Sequence, residues 1–188
     1  MLHSHIITTN TQKVLSFLIK FSDQEFYERE VARRLDISTG SANRALNELF
    51  SSSVVKRRRE GKMFFYSVNS NNAIISELKK VINLFLIEPL AEALKAITNR
   101  VVLYGSCAQG TDTSESDLDL FVVSNDKQNV SDIINSFKFP GGYENIHIQP
   151  VIKTSVELLE GGESERTFLE EIESGIVLWE KVANESRV

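Results

Sequence analysis

One segment of this chain pairs a glycine and a serine with two aspartates. Gly105 and Ser106 follow an apolar run, and after ten intervening residues come Asp117 and Asp119, separated by Leu118. Successive side chains of a β-strand point to opposite faces. The spacing therefore predicts that both carboxylates project from one face of a strand while Leu118 enters the core.

These residue types suit a phosphate and a cation. Glycine lets the backbone approach a phosphate closely, the Ser106 hydroxyl can donate a hydrogen bond, and a helix that begins here would favour an anion. Two neighbouring carboxylates repel each other unless a cation lies between them, and Mg²⁺ is commonly held by carboxylates together with nucleotide phosphates. Such a site can activate an attacking hydroxyl and stabilise a pyrophosphate leaving group. An isolated Asp-x-Asp more often flanks a surface turn, so the interpretation depends on the full arrangement.

The order strand, Gly-Ser, ten residues, Asp-x-Asp, strand resembles the signature of nucleotidyltransferases of the DNA polymerase β superfamily, over about residues 99–179. The resemblance implies that Gly105 and Ser106 bind the triphosphate of an NTP, with ATP as the expected nucleotide. It also implies that Asp117 and Asp119 bind Mg²⁺ or Mn²⁺. The catalytic residues would then be Ser106, Asp117 and Asp119.

The third carboxylate that this superfamily usually supplies from a later strand is missing. The candidate strand, over residues 145–152, contains no acid. Gln149 occupies the most plausible position and cannot accept a proton at neutral pH. His147 could act as a base, although a polar residue on a strand face is the simpler interpretation, and Glu144 and Glu157 lie just outside the strand. Nucleotide and metal binding are therefore better supported than turnover.

The first seventy residues have the pattern of three short helices followed by a hairpin. Apolar spacing predicts a helix from about Thr11, a short extended piece over residues 25–27, and a third helix that begins at Ser38 or Thr39. Two β-prone runs around Gly61 predict the hairpin. This order resembles a winged helix-turn-helix, in which the third helix enters the DNA major groove and the wing follows the backbone.

Basic residues are concentrated in the same region. The chain has a net charge of −5, yet residues 28–62 contain nine basic and five acidic residues, a net +4 that leaves −9 for the rest. A basic segment on an acidic chain predicts one localised polyanion-binding face, although many charge runs are only solvated and some winged helices bind protein. The resemblance implies double-stranded DNA as the partner. The groove-facing candidates are Thr39, Ser41, Asn43 and Arg44, and the phosphate-contacting candidates are Lys56, Arg57, Arg58, Arg59 and Lys62.

The fold prediction is α+β, in three parts. An N-terminal winged helix-turn-helix covers residues 1–70, a long linking helix covers 71–98, and a polymerase-β-type nucleotidyltransferase fold with a small mixed sheet flanked by helices covers 99–188. Pro89 is expected to end or kink the linking helix. The surplus apolar face of that helix is covered either by the domains or by a second copy in a homodimer.

Two functional hypotheses remain open. In the first, a DNA-binding regulator also transfers AMP to a hydroxyl of a protein or small molecule; related minimal nucleotidyltransferases act as antitoxins, so a small toxin-like protein is a candidate acceptor. In the second, the transferase fold is catalytically inactive and senses a nucleotide or metal that alters DNA binding and transcription.

The single Cys107 excludes an internal disulfide. We expect it to be a small buried residue, and we expect a cytoplasmic protein without a membrane partner.

Overall fold

The computed structural model describes residues 3–70, 72–160 and 166–181. The predicted boundary at 71 and the predicted C-terminal limit at 188 lie outside these ranges. The helices and strands follow one another in this order: α1 (His3–Ile6), α2 (Asn10–Lys20), β1 (Phe26–Tyr27), α3 (Glu28–Arg34), α4 (Thr39–Ser51), β2 (Lys56–Glu60), β3 (Met63–Ser67), α5 (Ala73–Leu94), β4 (Arg100–Tyr104), α6 (Gly105–Gln109), β5 (Leu118–Val123), α7 (Lys127–Ser136), β6 (Ile148–Lys153), α8 (Ser155–Glu160), α9 (Arg166–Glu173) and β7 (Ile176–Glu180).

Local capping defines the helices of the N-terminal half. Thr9 and Gln12 form a capping box at the start of α2, so two backbone donors at this end are satisfied reciprocally. The Ser38 side chain accepts from the Ser41 backbone N–H, which confirms the predicted start of α4. Strands β1, β3 and β2 form an antiparallel sheet in that order. The elements follow the predicted sequence, while their assignment as a winged helix-turn-helix remains a prediction.

The C-terminal half contains a four-stranded mixed sheet in the order β6-β5-β4-β7, with β5 and β6 parallel and the other neighbours antiparallel. Leu118 and Leu120 are fully buried on one face, as predicted. The opposite face carries a smaller apolar cluster in which Val102 and Phe121 pack with Ile172 of α9. This arrangement confirms the α+β class with a small mixed sheet flanked by helices.

Two local predictions are wrong. Strand β6 begins at Ile148 rather than at 145, because residues 144–145 form a turn and the ladder with β5 starts at the pair Leu118–Ile148. Asp117 precedes β5 instead of lying in it. Of the two alternatives for Pro89, an end of the helix is excluded, because α5 continues to Leu94. The helix is buried on both sides of the proline, at Leu86, Ile87, Leu90, Ala91 and Leu94, and this packing compensates for the hydrogen bond that proline cannot make.

One hydrophobic cluster extends through both halves of the chain, from Val14 and Phe17 of α2 to Leu118 of β5. Tyr143 stacks on Phe21 with ring centroids 5.9 Å apart, which joins the loop before β6 to the end of α2. The predicted domain limits are therefore not marked by a gap in the core. None of the helices within the described ranges has the length and apolar character required to cross a membrane.

The linking helix α5 retains an exposed apolar stripe. Ile74 is 65% exposed, Leu78 is 40% exposed and Val81 is 41% exposed. These positions share one side of the helix because their spacing follows its turns. A homodimer seam along this stripe remains a prediction.

A buried polar network joins α2, α5 and the loop that follows α6. Lys20, at the end of α2, donates from Nζ to Asp112 Oδ2 at 2.6 Å and to Asn83 Oδ1 at 2.7 Å. The Lys20 and Asp112 side chains are only 2% and 0% exposed. Asn83 Nδ2 donates to Asp112 Oδ1 at 3.0 Å, and Lys79 Nζ donates to the Asp112 backbone carbonyl at 2.6 Å. The Asp112 carboxylate is thus fully hydrogen-bonded away from water.

We expect Lys20→Met to lower the free energy of unfolding by about 3 kcal/mol, because it leaves the Asp112 carboxylate buried without its main counter-charge. The double variant Lys20→Met/Asp112→Asn should lose less, since no ionised carboxylate then remains to be desolvated. Urea unfolding followed by circular dichroism measures both. A loss below about 1 kcal/mol for Lys20→Met would mean that the pair behaves as a surface ion pair.

Candidate nucleotide and metal site

The pairing of β4 with β5 brings the two parts of the motif together. Tyr104, the last residue of β4, lies opposite Asp119 in the antiparallel register. Gly105 follows with φ of +67°, and a Cβ atom at this position would overlap Oδ2 of Asp119. The Gly105 backbone therefore lies directly against the Asp119 carboxylate, an approach that only glycine allows.

Ser106 lies in the first turn of the short helix α6 and is half-buried. Its backbone carbonyl accepts from the Thr111 N–H at 3.1 Å, which closes the turn after the helix. Within the part of the chain that the structure describes, the Ser106 hydroxyl has no hydrogen-bonding partner. The fold therefore leaves this donor available to a ligand.

The two aspartates form an unneutralised pair. Asp117 is exposed and Asp119 half-buried, and across residues 3–70, 72–160 and 166–181 neither carboxylate accepts a hydrogen bond. Burial raises the pKa of Asp119, and the charges of Asp117 and Glu171 raise it further. A cation between the carboxylates would relieve this repulsion.

This donor set fits Mg²⁺ held jointly with phosphate oxygens, because Mg²⁺ is usually bound through only one or two carboxylates. It does not fit a metal held by protein side chains alone. Among the residues described, no group of three or more histidine, cysteine, aspartate or glutamate side chains could hold a metal ion.

The residues considered for the third acid do not complete the site. Gln149 lies beside Asp119 in the parallel register of β5 and β6. His147 is exposed before β6, and its backbone carbonyl accepts from the Leu118 N–H. Glu144 accepts from the Gly142 N–H at 2.9 Å. The Glu157 carboxylate pairs with Lys127, and this hydrogen bond, with that from the Thr154 N–H, lowers the pKa of Glu157 to about 2.

Glu171 of α9 was not identified from the sequence. Phe168 of the same helix contacts the Tyr104 ring edge-on at 5.9 Å, and Ile172 is buried against the sheet. Helix α9 therefore crosses the face that carries Asp119. Burial is the main cause that raises the pKa of Asp119 and of Tyr104, and the charge of Glu171 raises both further. Apolar spacing revealed the helix but could not reveal which face of the sheet it covers.

Cys107 is a structural residue, as predicted. It is fully buried, and its thiol donates to the Asp117 backbone carbonyl at 3.4 Å. Burial raises the pKa of Cys107 to about 12, so the reactive thiolate is suppressed at neutral pH.

The predicted DNA-contacting residues lie on two adjacent surfaces, the start of α4 and the strand β2 with its turn. Thr39 and Arg44 are exposed, whereas Ser41 and Asn43 are half-buried. Asn43 already has partners, because its amide donates to Glu28 and its carbonyl accepts from Asn47. The wing residues are all exposed: Lys56, Arg57, Arg58, Arg59 and Lys62.

The wing arginines have different surroundings. The Arg57 guanidinium lies over the rings of Phe50 and Phe64, at 4.0 and 4.5 Å from their centroids, and so joins α4 to the wing. Arg58 forms ion pairs with Glu25 and Glu60, both at 2.7 Å. Arg59 donates from Nε to the Gly61 carbonyl at 3.0 Å. Its charge has no acidic partner among the described residues.

A family profile described as "Polymerase beta, Nucleotidyltransferase" matches residues 87–184, more than half of the chain. The chain belongs to this nucleotidyltransferase family. The match includes β4, the Gly105-Ser106 turn, the aspartate pair and the sheet. Members of the family generally use a divalent metal and an NTP, which agrees with the donor set described above.

Among solved structures, the chain is similar to reduced HlyU from Vibrio cholerae N16961, at 25% sequence identity over 47% of this chain and 83% of that chain. The TM-score of 0.32 is too low for this similarity to support an argument about fold or function. A comparison with curated proteins finds no match.

Gly105→Ala tests the close approach, with Gly61→Ala as its matched control. Both glycines have positive φ, +67° and +60°, but a Cβ at Gly61 would meet nothing within 4 Å. Backbone strain should cost each variant about 1 kcal/mol in the free energy of unfolding. Only Gly105→Ala should also displace the Asp119 carboxylate, weakening Mg²⁺-dependent ATP binding at least about tenfold in calorimetric titration. Equal ATP affinity of the two variants would contradict this geometry.

Proposed function

We propose that the chain is a Mg²⁺-dependent nucleotidyltransferase that transfers AMP from ATP to a hydroxyl group. The observation that carries this proposal is the contact between the Gly105 backbone and the Asp119 carboxylate. It puts a backbone that a phosphate can approach closely next to a carboxylate that needs a cation. The available hydroxyl of Ser106 adds a donor at the same turn.

Each residue has a distinct role in this proposal. Gly105 and Ser106 hold the triphosphate, and Asp117 with Asp119 holds the metal. When bound, Mg²⁺ supplies charge stabilisation for the phosphates and lowers the proton affinity of the attacking hydroxyl. The hydroxyl oxygen forms a bond to the α-phosphorus as the bond to pyrophosphate breaks, and the hydroxyl proton is released. A small toxin-like protein is the acceptor that we propose.

Asp117→Ala/Asp119→Ala should abolish transfer of label from ATP carrying radioactive phosphorus at the α-position to an acceptor in cell lysate. The variant removes both metal-binding carboxylates. Glu115→Ala is the matched control, because Glu115 is an exposed acid two residues before Asp117 and should not affect transfer. Label transferred equally by the double variant would exclude the aspartate pair as the metal site.

A catalytically inactive regulator is the second candidate, and the position of Gln149 beside Asp119 favours it. Gln149 cannot take a proton from the acceptor at neutral pH. In this case, binding of Mg²⁺ and nucleotide alters the affinity of the chain for DNA. This coupling requires only that two conformational states of the chain differ in their affinity for the nucleotide. Mg²⁺-dependent ATP binding without transfer of label would support this function.

We also propose that the start of α4 and the wing bind double-stranded DNA. The support is the contact of the wing with α4: the Arg57 guanidinium lies between Phe50, at the C-terminal end of α4, and Phe64 of β3. Asn43 of α4 and Lys62 of the wing line the same cleft. This stacking fixes the wing relative to the helix. Lys56, Arg59 and Lys62 then face solvent beside it and can neutralise phosphates.

Arg59→Ala should weaken binding to a fluorescent DNA duplex. It should also reduce the slope of log Kd against the logarithm of salt concentration by about one, the amount expected for one lost phosphate contact. Arg58→Ala should change this slope less, because Glu25 and Glu60 already pair with the Arg58 guanidinium. Fluorescence anisotropy over a range of salt concentrations measures both slopes. If the two variants reduce the slope equally, Arg58 contacts phosphate despite its ion pairs.

A further inference from the structure

The loop that connects the two parts of the motif, residues 110–116, contains no helix or strand. It separates α6, which carries Ser106, from Asp117. The pairing of β4 with β5 fixes Gly105 against Asp119, so the conformation of this loop sets the position of Asp117, which precedes β5. We call this segment the motif loop.

Residues far away in the sequence hold the motif loop at two points. Asp112 is held by Lys20 of α2 through the buried network described above. Ser114 is held by Asp23, three residues after the end of α2. Both Asp23 oxygens accept from the Ser114 backbone N–H, at 3.1 and 3.0 Å, and Oδ2 also accepts from the Ser114 hydroxyl at 2.6 Å.

These contacts involve charged acceptors. Burial acts to raise the pKa of Asp23, but the hydrogen bonds from Ser114 outweigh it and the pKa is lowered. The ionised Asp23 is therefore the form that holds the loop at neutral pH. Hydrogen bonds to charged groups are stronger than those between neutral groups. The contact of Asp23 with Ser114 at the surface therefore adds a second restraint on the loop to the buried contact of Lys20 with Asp112.

We propose that Lys20 and Asp23 are positioning residues of the nucleotide site, so that the N-terminal half completes the transferase half. This inference rests on the function proposed above. Neither residue is expected to touch the nucleotide. They fix the motif loop, and the loop fixes the position of Asp117 relative to the Ser106 turn and to Asp119. Productive geometry at such sites is sensitive to shifts of about 1 Å.

Asp23→Ala tests this role without disturbing the core, because Asp23 is exposed. Asp23→Asn keeps one carbonyl oxygen that can accept from the Ser114 N–H and should rescue part of the effect. Gln24→Ala changes the neighbouring exposed residue, which makes no described side-chain contact, and is the matched control. Circular dichroism should show that all three variants are folded at the temperature of the binding measurements, with Asp23→Ala melting about 2–4 °C below the wild type for each kcal/mol of lost stability.

Two measurements on the full chain decide the inference. Hydrogen–deuterium exchange of the amides in the motif loop should become faster in Asp23→Ala, and the Kd for ATP in the presence of Mg²⁺ should rise about fivefold to tenfold. Asp23→Asn should give intermediate values, and Gln24→Ala should match the wild type in both measurements. A residue that only stabilised the fold would not change ATP affinity at temperatures far below the melting transition.

The outcomes separate this inference from the proposed function. ATP bound by wild type and Asp23→Ala with Kd values within about twofold would overturn the positioning role alone. Unchanged exchange in the motif loop would overturn it as well, because the Asp23 contact would then not hold the loop. No ATP binding by the wild type would overturn the proposed function, and the positioning role with it.

Discussion

The antiparallel pairing of β4 with β5 is the constraint on which the candidate site depends. It sets Tyr104 opposite Asp119, so that the next residue, Gly105, turns directly over the Asp119 carboxylate. The pairing itself is held by buried residues on both faces of the two strands. A stable core thus maintains two carboxylates in mutual repulsion, an arrangement that a bound cation stabilises.

The local elements could be predicted from the sequence because their signals are local. The apolar run before Gly105 identified β4, and the Ser38 cap identified the start of α4. For Pro89 the sequence left an end or a kink open, because propensity rules describe an isolated helix, whereas α5 is buried around the proline and continues past it. The absence of an acid from residues 145–152 was also visible in the sequence, whereas the register of Gln149 beside Asp119 required the structure.

Contacts between distant residues could not be predicted in this way. Lys20 had the pattern of an ordinary lysine at the end of an amphipathic helix, yet its partner Asp112 lies 92 residues away. Asp23 and Ser114 are 91 residues apart. No periodicity relates such pairs, and they meet because α2 and α6 both pack against α5. The same holds for Glu171, whose position near Asp119 depends on how α9 crosses the sheet.

We propose that one site, formed by the Gly105-Ser106 turn and the aspartate pair, binds nucleotide and metal together. Titration of the isotope-labelled chain with Mn²⁺ and ATP, followed by NMR, tests this proposal, because paramagnetic Mn²⁺ broadens the signals of nearby amides. We expect the amides of Gly105, Ser106 and residues 117–119 to broaden first, and only when ATP is present. Broadening centred on another part of the chain, or none at all, would contradict it.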